Sequence, residues 1–148
     1  MYKGLTYPSD EDPESRITCF NFAIDTFPQY ATALYKKAET IISSGKDRDL
    51  AIAEVNKILE FNPDHYYSYF LLGNIFMKKR EFAEAESQLK KCLDLQWYEY
   101  ILFETLSRAQ LEQNKFEESI TTLESAKRLN LHRVDEATVS QAQYCLIF

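Results

Sequence analysis

The sequence predicts an all-α fold, an α-solenoid of stacked antiparallel helix hairpins, from three observations. Glycine and proline are scarce: the 148 residues hold 3 Gly and 4 Pro, where average usage would give about 10 and about 7. Apolar side chains recur at spacings of three and four residues, which places them on one face of an α-helix. Similar residues also recur 34 positions apart. Folds rich in β-hairpins need frequent glycine turns and are therefore disfavoured.

The 34-residue period relates the middle of the chain to its last third. Leu72 and Gly73 align with Leu106 and Ser107 at this offset. The same offset relates Tyr69 to Phe103, Phe82 to Phe116, Leu89 to Leu123, Cys92 to Ala126 and Leu95 to Leu129. Each period contains two amphipathic helices separated by a short polar turn. Such a hairpin cannot bury its apolar face alone, so neighbouring copies are expected to stack.

The elements follow from this period and from the helix start signals. Asp12 as N-cap and Pro13 in the first helical position predict a helix start after an irregular segment, residues 1–12. At this length, residues 13–148 are expected to form a single domain. Its predicted parts are a lone helix over 13–27, a degenerate repeat over 31–65 with Gly45 in its turn, two repeats over 66–99 and 100–133, and a terminal or capping helix over 134–148.

Composition and charge argue against several classes of partner. The net charge is −6, with 17 Lys and Arg against 23 Asp and Glu, whereas a nucleic-acid surface usually needs a basic field. No apolar run reaches the roughly 18 residues that a membrane span requires. The first residues lack the apolar core of a secretory signal. The expectation is therefore a cytoplasmic protein without a nucleic-acid partner.

Residues that could carry chemistry are few and scattered. The three cysteines, Cys19, Cys92 and Cys145, form no CxxC pair for zinc or redox work, so we expect incidental thiols in a reducing compartment. His65 and His132 each end a unit next to a turn, without a nearby nucleophile in a familiar catalytic arrangement. The sequence also lacks an Asp/Asn-rich cation loop and a metal-binding His pair. We therefore expect no enzyme activity, no cofactor and no metal site.

The spacing within residues 66–99 is distinctive: Tyr69-x2-Leu72-Gly73-x2-Phe76 is followed by Ala85-x3-Leu89. With the 34-residue period, this string resembles the signature of the tetratricopeptide repeat (TPR) family. The following unit continues the resemblance, which covers residues 66–133. The repeat-final proline of the family is kept as Pro63 and replaced by Trp97 and Leu131 in the next two units. The resemblance implies a right-handed superhelix of helix hairpins.

The resemblance also implies where a partner would bind, because first helices line the concave face of such arrays. The groove would be partly apolar, with Asn74 and Arg108 as polar anchors. The family's contact positions fall on Tyr35, Glu39 and Ile42 in the degenerate repeat, on Tyr67, Phe70, Asn74, Met77 and Lys78 in the next, and on Ile101, Glu104, Arg108, Leu111 and Glu112 in the third. The alternative is that Tyr67, Phe70 and Met77 only pack against neighbouring helices or the N-terminal segment.

The implied function is that of an interaction scaffold or adaptor for a protein or peptide segment. Binding of chaperone tails is disfavoured, because the family's carboxylate clamp needs basic residues where Phe70 and Ile101 stand, and only Asn74 fits its place. Two alternatives stay open: a small TPR chaperone of the type III secretion kind, and a subunit or fragment of a larger TPR assembly. The apolar residues 146–148 suggest self-association or docking through the C-terminal helix.

Overall fold

The computed structural model of the chain describes residues 12–129. Over this range it contains seven α-helices and no strand, which confirms the all-α class. In chain order the helices are α1 (Pro13–Thr26), α2 (Ala31–Ser43), α3 (Arg48–Phe61), α4 (Tyr66–Lys79), α5 (Phe82–Asp94), α6 (Tyr100–Glu112) and α7 (Phe116–Arg128). Residues 1–11 of the predicted irregular segment, and the terminal helix predicted over 134–148, lie outside the described residues.

The chain divides into two compact units, Met1–Pro63 and Asp64–Phe148. The described part of the first unit contains α1, α2 and α3, and that of the second contains α4 to α7. Within each unit, helices that follow one another in the chain pack against each other. This is a helical-repeat arrangement, whereas the single domain expected over residues 13–148 stays a prediction.

Helix α1 begins where the capping pattern predicts. The side chain of Asp12 accepts a hydrogen bond of 2.7 Å from the backbone N–H of Ser15, and Pro13 is the first helical residue. The cap satisfies one of the amide groups that has no partner inside the helix. Helix α1 packs on α2, yet none of its side chains is fully buried.

Helices α2 and α3 form a hairpin through a turn at Gly45, whose φ of 70° lies in the left-handed region that favours glycine. The ammonium of Lys37 on α2 lies 2.8 Å from the carboxylate of Glu54 on α3. The apolar core of this hairpin is fully inaccessible to solvent at Leu34, Ala38, Ala51, Val55 and Ile58. The degenerate repeat therefore buries the side chains that its helical period predicts.

The second unit contains two hairpins, called below the first hairpin (α4 and α5) and the second hairpin (α6 and α7). They share one apolar cluster, formed by Leu89 and Cys92 of α5 with Leu102 and Leu106 of α6. Helix α5 thus packs on its own partner α4 and also on the next hairpin. This is the stacking that the repeat pattern predicts.

A buried carboxylate adds a polar connection between these hairpins. Glu86 on α5 is 4% exposed, and its carboxylate lies 2.6 Å from the ammonium of Lys90 and 2.7 Å from that of Lys115. The side-chain amide of Gln113 donates a further hydrogen bond of 2.9 Å. Burial alone would raise the pKa of Glu86, but hydrogen bonds from Lys115, Lys90 and Gln113 outweigh it and lower the pKa to about 2.

Candidate functional site

The first helices α2, α4 and α6 carry all the candidate contact residues, and none of these side chains is fully buried. Exposed side chains in this set are Tyr67, Lys78, Ile101, Arg108 and Glu112, and half-buried ones are Tyr35, Glu39, Ile42, Phe70, Asn74, Met77, Glu104 and Leu111. The two largest exposed apolar side chains among them, Tyr67 and Ile101, are 46% and 48% exposed. They occupy equivalent positions on α4 and α6.

The opposite faces of these helices form the core. On α4 the buried residues are Ser68, Leu71, Leu72, Gly73 and Ile75. On α6 they are Leu102, Phe103, Thr105, Leu106, Ser107, Ala109 and Gln110. Each first helix therefore has one face fixed by packing, and this packing holds the other face in place for contact with solvent or a partner.

Four side chains form an aromatic cluster at the N-terminal ends of α4 and α6: Tyr66, Tyr67, Phe70 and Trp97. The Trp97 ring stacks on Tyr66, with 5.2 Å between ring centroids and 26° between planes. The Tyr67 ring lies 5.6 Å from Trp97, and the Phe70 ring meets Trp97 edge-on at 5.1 Å. Phe70 therefore packs against a neighbouring ring and is also partly exposed. Its position is compatible with both alternatives that the sequence left open, partner contact and internal packing.

Sequence reasoning named neither Tyr66 nor Trp97 as a site residue, and Trp97 contacts all three other rings of the cluster. It stands where the family keeps a proline, so the substitution looked like a weakened repeat end. The signal that could have identified it is its place in the run Trp97–Ile101, which spans the boundary between two repeats and in which three aromatic rings precede an exposed isoleucine.

Charge near the aromatic cluster is acidic. A hydrogen bond with Tyr67, partial burial and the nearby Glu99 carboxylate raise the pKa of the Tyr66 phenol. Further along α6, the guanidinium of Arg108 lies 3.0 Å from the carboxylate of Glu104. Arg108, predicted as a polar anchor, is therefore already paired with another candidate residue one helical turn away.

Tyr35, Glu39 and Ile42 lie on α2, in the other compact unit. The Lys36 ammonium lies 2.8 Å from the Glu39 carboxylate and 5.8 Å from the centroid of the Tyr35 ring. The structure therefore brings together the candidate residues of α4 and α6, whereas those of α2 are placed only within the first unit.

The structure pairs His65 with a serine, which sequence reasoning did not anticipate. The imidazole Nδ1 of His65 lies 2.7 Å from the hydroxyl of Ser68, in the first turn of α4. Ser68 is completely buried and cannot meet a substrate, so the pair is an internal contact at the start of α4. His132 and Cys145 lie outside the described residues.

The buried thiol of Cys92 is not activated as a nucleophile. Burial raises the pKa of the Cys92 thiol to about 12, so the thiol is protonated at neutral pH. Within residues 12–129, the acidic, histidine and cysteine side chains form no group of three that could hold a metal ion. No helix in this range is long and apolar enough to cross a membrane.

Comparison with known proteins agrees with this architecture. Residues 66–96 match the family model described as tetratricopeptide repeat. A curated relative, DnaJ homolog subfamily C member 3 of Rattus norvegicus, is 28% identical over 74 residues. This match covers 50% of the present chain but only 14% of the relative's length.

Three solved structures share the fold at low sequence identity. YrrB, described as a TPR protein with an unusual peptide-binding site, aligns over 88% of this chain and 66% of its own, with 22% identity and a TM-score of 0.75. MamA from Desulfovibrio magneticus RS-1 aligns over 80% of this chain and 67% of its own, with 17% identity and a TM-score of 0.71.

The third structure is the first TPR of Spaghetti bound to the HSP90 peptide SRMEEVD. It aligns over 79% of this chain and 93% of its own, with 20% identity and a TM-score of 0.67. The helix hairpins, their 34-residue period and the family match at residues 66–96 together show that the described residues have the tetratricopeptide repeat fold.

Proposed function

We propose that the chain is a non-enzymatic interaction scaffold that binds a segment of a partner protein on the exposed faces of its first helices. The observation that carries this proposal is the placement of Tyr67 and Ile101, two exposed apolar side chains at equivalent positions of adjacent repeats. Tyr67 belongs to the aromatic cluster, whose packing fixes the shape of the surface before binding. A preformed surface leaves most of the ordering cost to the partner.

The similar structures support this proposal by analogy. YrrB is described as having a peptide-binding site, and the first TPR of Spaghetti was solved with a peptide bound. A scaffold of this kind needs no catalytic group, which agrees with the protonated Cys92 and the buried Ser68. The adaptor role and the cytoplasmic location belong to this proposal, as does the alternative of a small chaperone acting through the same surface.

The test is capture of partners from a cell extract, followed by mass spectrometry, with two matched variants. Tyr67→Asp combined with Ile101→Asp places charge on the proposed surface, and we expect it to lose the captured partner. Leu50→Asp is the control, because Leu50 on α3 is 56% exposed and belongs to a second helix. If the double variant keeps the partner while helical circular dichroism is unchanged, the first-helix surface is not the binding site.

A second candidate function, self-association within a larger TPR assembly, is favoured by α1. Helices α1 and α3 end in the same way: their C-cap residues have similar backbone angles, φ −135° at Phe27 and φ −139° at Asn62, and each precedes a proline. However, α3 buries three side chains and α1 buries none. Phe22 and Phe27 are 75% and 65% exposed.

The proposed occupant of this face is the segment 134–148 of a second copy. This segment lies outside the described residues, but it begins one period after the start of α6 and so has the sequence position of a first helix. Sedimentation velocity tests the candidate: the sedimentation coefficient should rise with concentration for the parent chain and stay constant for Phe22→Asp. A parent chain that stays monomeric over the whole range contradicts it.

A further inference from the structure

The N-terminal ends of α4 and α6 differ in chemistry from the rest of the first-helix surface. We infer that they form a receptor for an arginine-bearing segment of the partner, in which a guanidinium stacks on the exposed Tyr67 ring and pairs with the Glu99 carboxylate. This inference rests on the proposed function and adds the chemistry of the ligand. The region concerned, called below the acidic aromatic face, consists of the aromatic cluster together with Glu99.

The aromatic cluster is partly exposed, and its rings are already held rigid by packing on one another. Tyr66, Phe70 and Trp97 are half-buried and held in contact with one another, while Tyr67 stays 46% exposed at 5.6 Å from Trp97. Rigid aromatic rings with an exposed edge or face are enriched at the energetic centres of protein interfaces. Because the rings contact one another, they present a packed platform on which a planar group can stack.

The charged side chains in the segments around the aromatic cluster are acidic. Residues 64–77 and 97–107 contain no lysine or arginine, but they include Asp64, Glu99 and Glu104. The Glu104 carboxylate is matched by Arg108 at 3.0 Å, whereas Glu99 lies close enough to the Tyr66 phenol to raise its pKa. Burial lowers the pKa of His65, which keeps that imidazole neutral at pH 7 and adds no positive charge. These two segments are therefore complementary to a cation, and the cation that the fold itself brings near them is Lys91 of α5.

The fold itself places a cation on a neighbouring ring. The ammonium of Lys91 on α5 lies 5.1 Å from the centroid of the Tyr69 ring on α4. Tyr69 is a partly buried neighbour of the apolar cluster, as are Phe70 and Trp97. Cation–π contacts of this kind are favourable at protein surfaces and become stronger when water is excluded by a partner.

Arginine suits this face better than lysine. Its planar guanidinium can stack on a ring and at the same time donate paired hydrogen bonds to a carboxylate, which a compact ammonium cannot do. An acidic ligand such as the SRMEEVD peptide in the Spaghetti complex would instead bring carboxylates towards Glu99. The net charge of −6 would also steer a basic segment towards the chain.

Trp97 is the only tryptophan of the chain, so its fluorescence reports directly on the acidic aromatic face. The probes are four Gly/Ser peptides of equal length that carry arginine, lysine, the neutral arginine analogue citrulline, or glutamate at the same positions. We expect a saturable fluorescence change with the arginine peptide that weakens as salt is added. Affinity should fall about fivefold or more with citrulline, less with lysine, and be undetectable with glutamate.

Glu99→Gln and Glu117→Gln change the net charge equally. Comparing them separates binding at this site from general electrostatic attraction. Glu99→Gln should weaken the arginine peptide about threefold to tenfold, and Tyr67→Ala should weaken it about tenfold. Glu117→Gln is the charge-matched control, because Glu117 is exposed in the first turn of α7, and it should change the affinity less than twofold.

Equal affinity for the arginine and citrulline peptides overturns the inference. Equal loss in Glu99→Gln and Glu117→Gln overturns it too, as does the absence of saturation up to about 1 mM arginine peptide. None of these outcomes decides the proposed function, which is tested by partner capture with the Tyr67 and Ile101 variants. A partner that is lost in those variants but lacks any basic segment leaves the scaffold function standing and removes the arginine specificity.

Discussion

The first and second hairpins of the Asp64–Phe148 unit bring their two helices together by different means. In the first hairpin the close contact requires a residue without a side chain: a methyl group on Gly73 would lie 2.7 Å from both Cγ and Cδ2 of Leu89. In the second hairpin the equivalent position is Ser107, whose hydroxyl lies 2.8 Å from that of Ser119 inside the core. One crossing thus depends on the absence of a side chain, the other on a buried pair of hydroxyls.

Equivalent positions of a repeat can therefore be equally buried and yet tolerate different substitutions. Gly73 and Ser107 are both fully enclosed, as are Ala85 and Ser119 across from them. The crossing at Gly73 should be sensitive to added volume. The crossing at Ser107 should be sensitive to the loss of a hydrogen bond.

The largest expected effect concerns Glu86, which connects the first hairpin to the second and has an isoleucine, Ile120, as its counterpart one period later. Glu86→Gln should lower the free energy of unfolding at pH 7 by about 2 to 3 kcal/mol, because the ionised carboxylate is the form that its partners stabilise. Urea denaturation at several pH values, followed by Trp97 fluorescence, measures the change.

The sign of the pH dependence follows from the lowered pKa. Glu86 moves from an ordinary value of 4.5 to about 2 in the folded chain, so its stabilising contribution is complete above pH 4.5 and lost as the pH falls towards 2. The difference between the parent chain and Glu86→Gln should therefore shrink over that window. A difference that stays constant across the window would show that the carboxylate charge does not stabilise the contact.

The next effect in size is overpacking of the first hairpin. Gly73→Ala should lower the free energy of unfolding by about 1 to 3 kcal/mol, because the new methyl group displaces Leu89, which is fully buried. In an open helix the same change would be stabilising by about 0.5 to 1 kcal/mol, so the sign alone is informative. Thermal and urea unfolding measure it, and a more stable Gly73→Ala variant would mean that the crossing has room for a side chain.

The hydroxyl pair of the second hairpin predicts a smaller, non-additive effect. Ser107→Ala alone should cost about 1 kcal/mol, because it leaves the Ser119 hydroxyl without one of its two buried partners. Combining it with Ser119→Ala should cost less than the sum of the single changes, since no buried hydroxyl is then left unpaired. Strictly additive losses in a double-mutant cycle would argue against direct coupling of the two serines.

Sequence alone predicted most of the fold because the relevant signals are local and periodic. Each of these signals acts within one hairpin or at one helix end, and the structure has the expected helices at these places: the close contact at Gly73, the turn at Gly45 and the cap at Asp12. The contact positions that the resemblance implies on the first helices stay predictions; among them the structure leaves Tyr67 and Ile101 exposed.

The features that were missed depend on tertiary contact. A glutamate on an amphipathic second helix is expected at the surface, but Glu86 is buried by partners 27 and 29 positions away, Gln113 and Lys115. Trp97 replaces a proline, and its packing against Tyr66 and Phe70 joins residues that lie far apart within one repeat. The partners of Glu86 depend on how one repeat stacks on the next, and those of Trp97 depend on how one repeat folds back on itself, so neither set is visible in neighbouring residues.

The smallest expected effect lies in the turns of the two hairpins. Arg80 and Asn114 occupy equivalent turn positions with left-handed backbone, at φ values of 63° and 60°. Asparagine tolerates this conformation better than arginine, so Arg80→Asn should stabilise the chain by about 0.5 to 1 kcal/mol. The reciprocal Asn114→Arg should destabilise it by a similar amount, measured as opposite shifts of the urea midpoint. Shifts of the same sign would mean that side-chain contacts, rather than backbone strain, decide the residue at these turns.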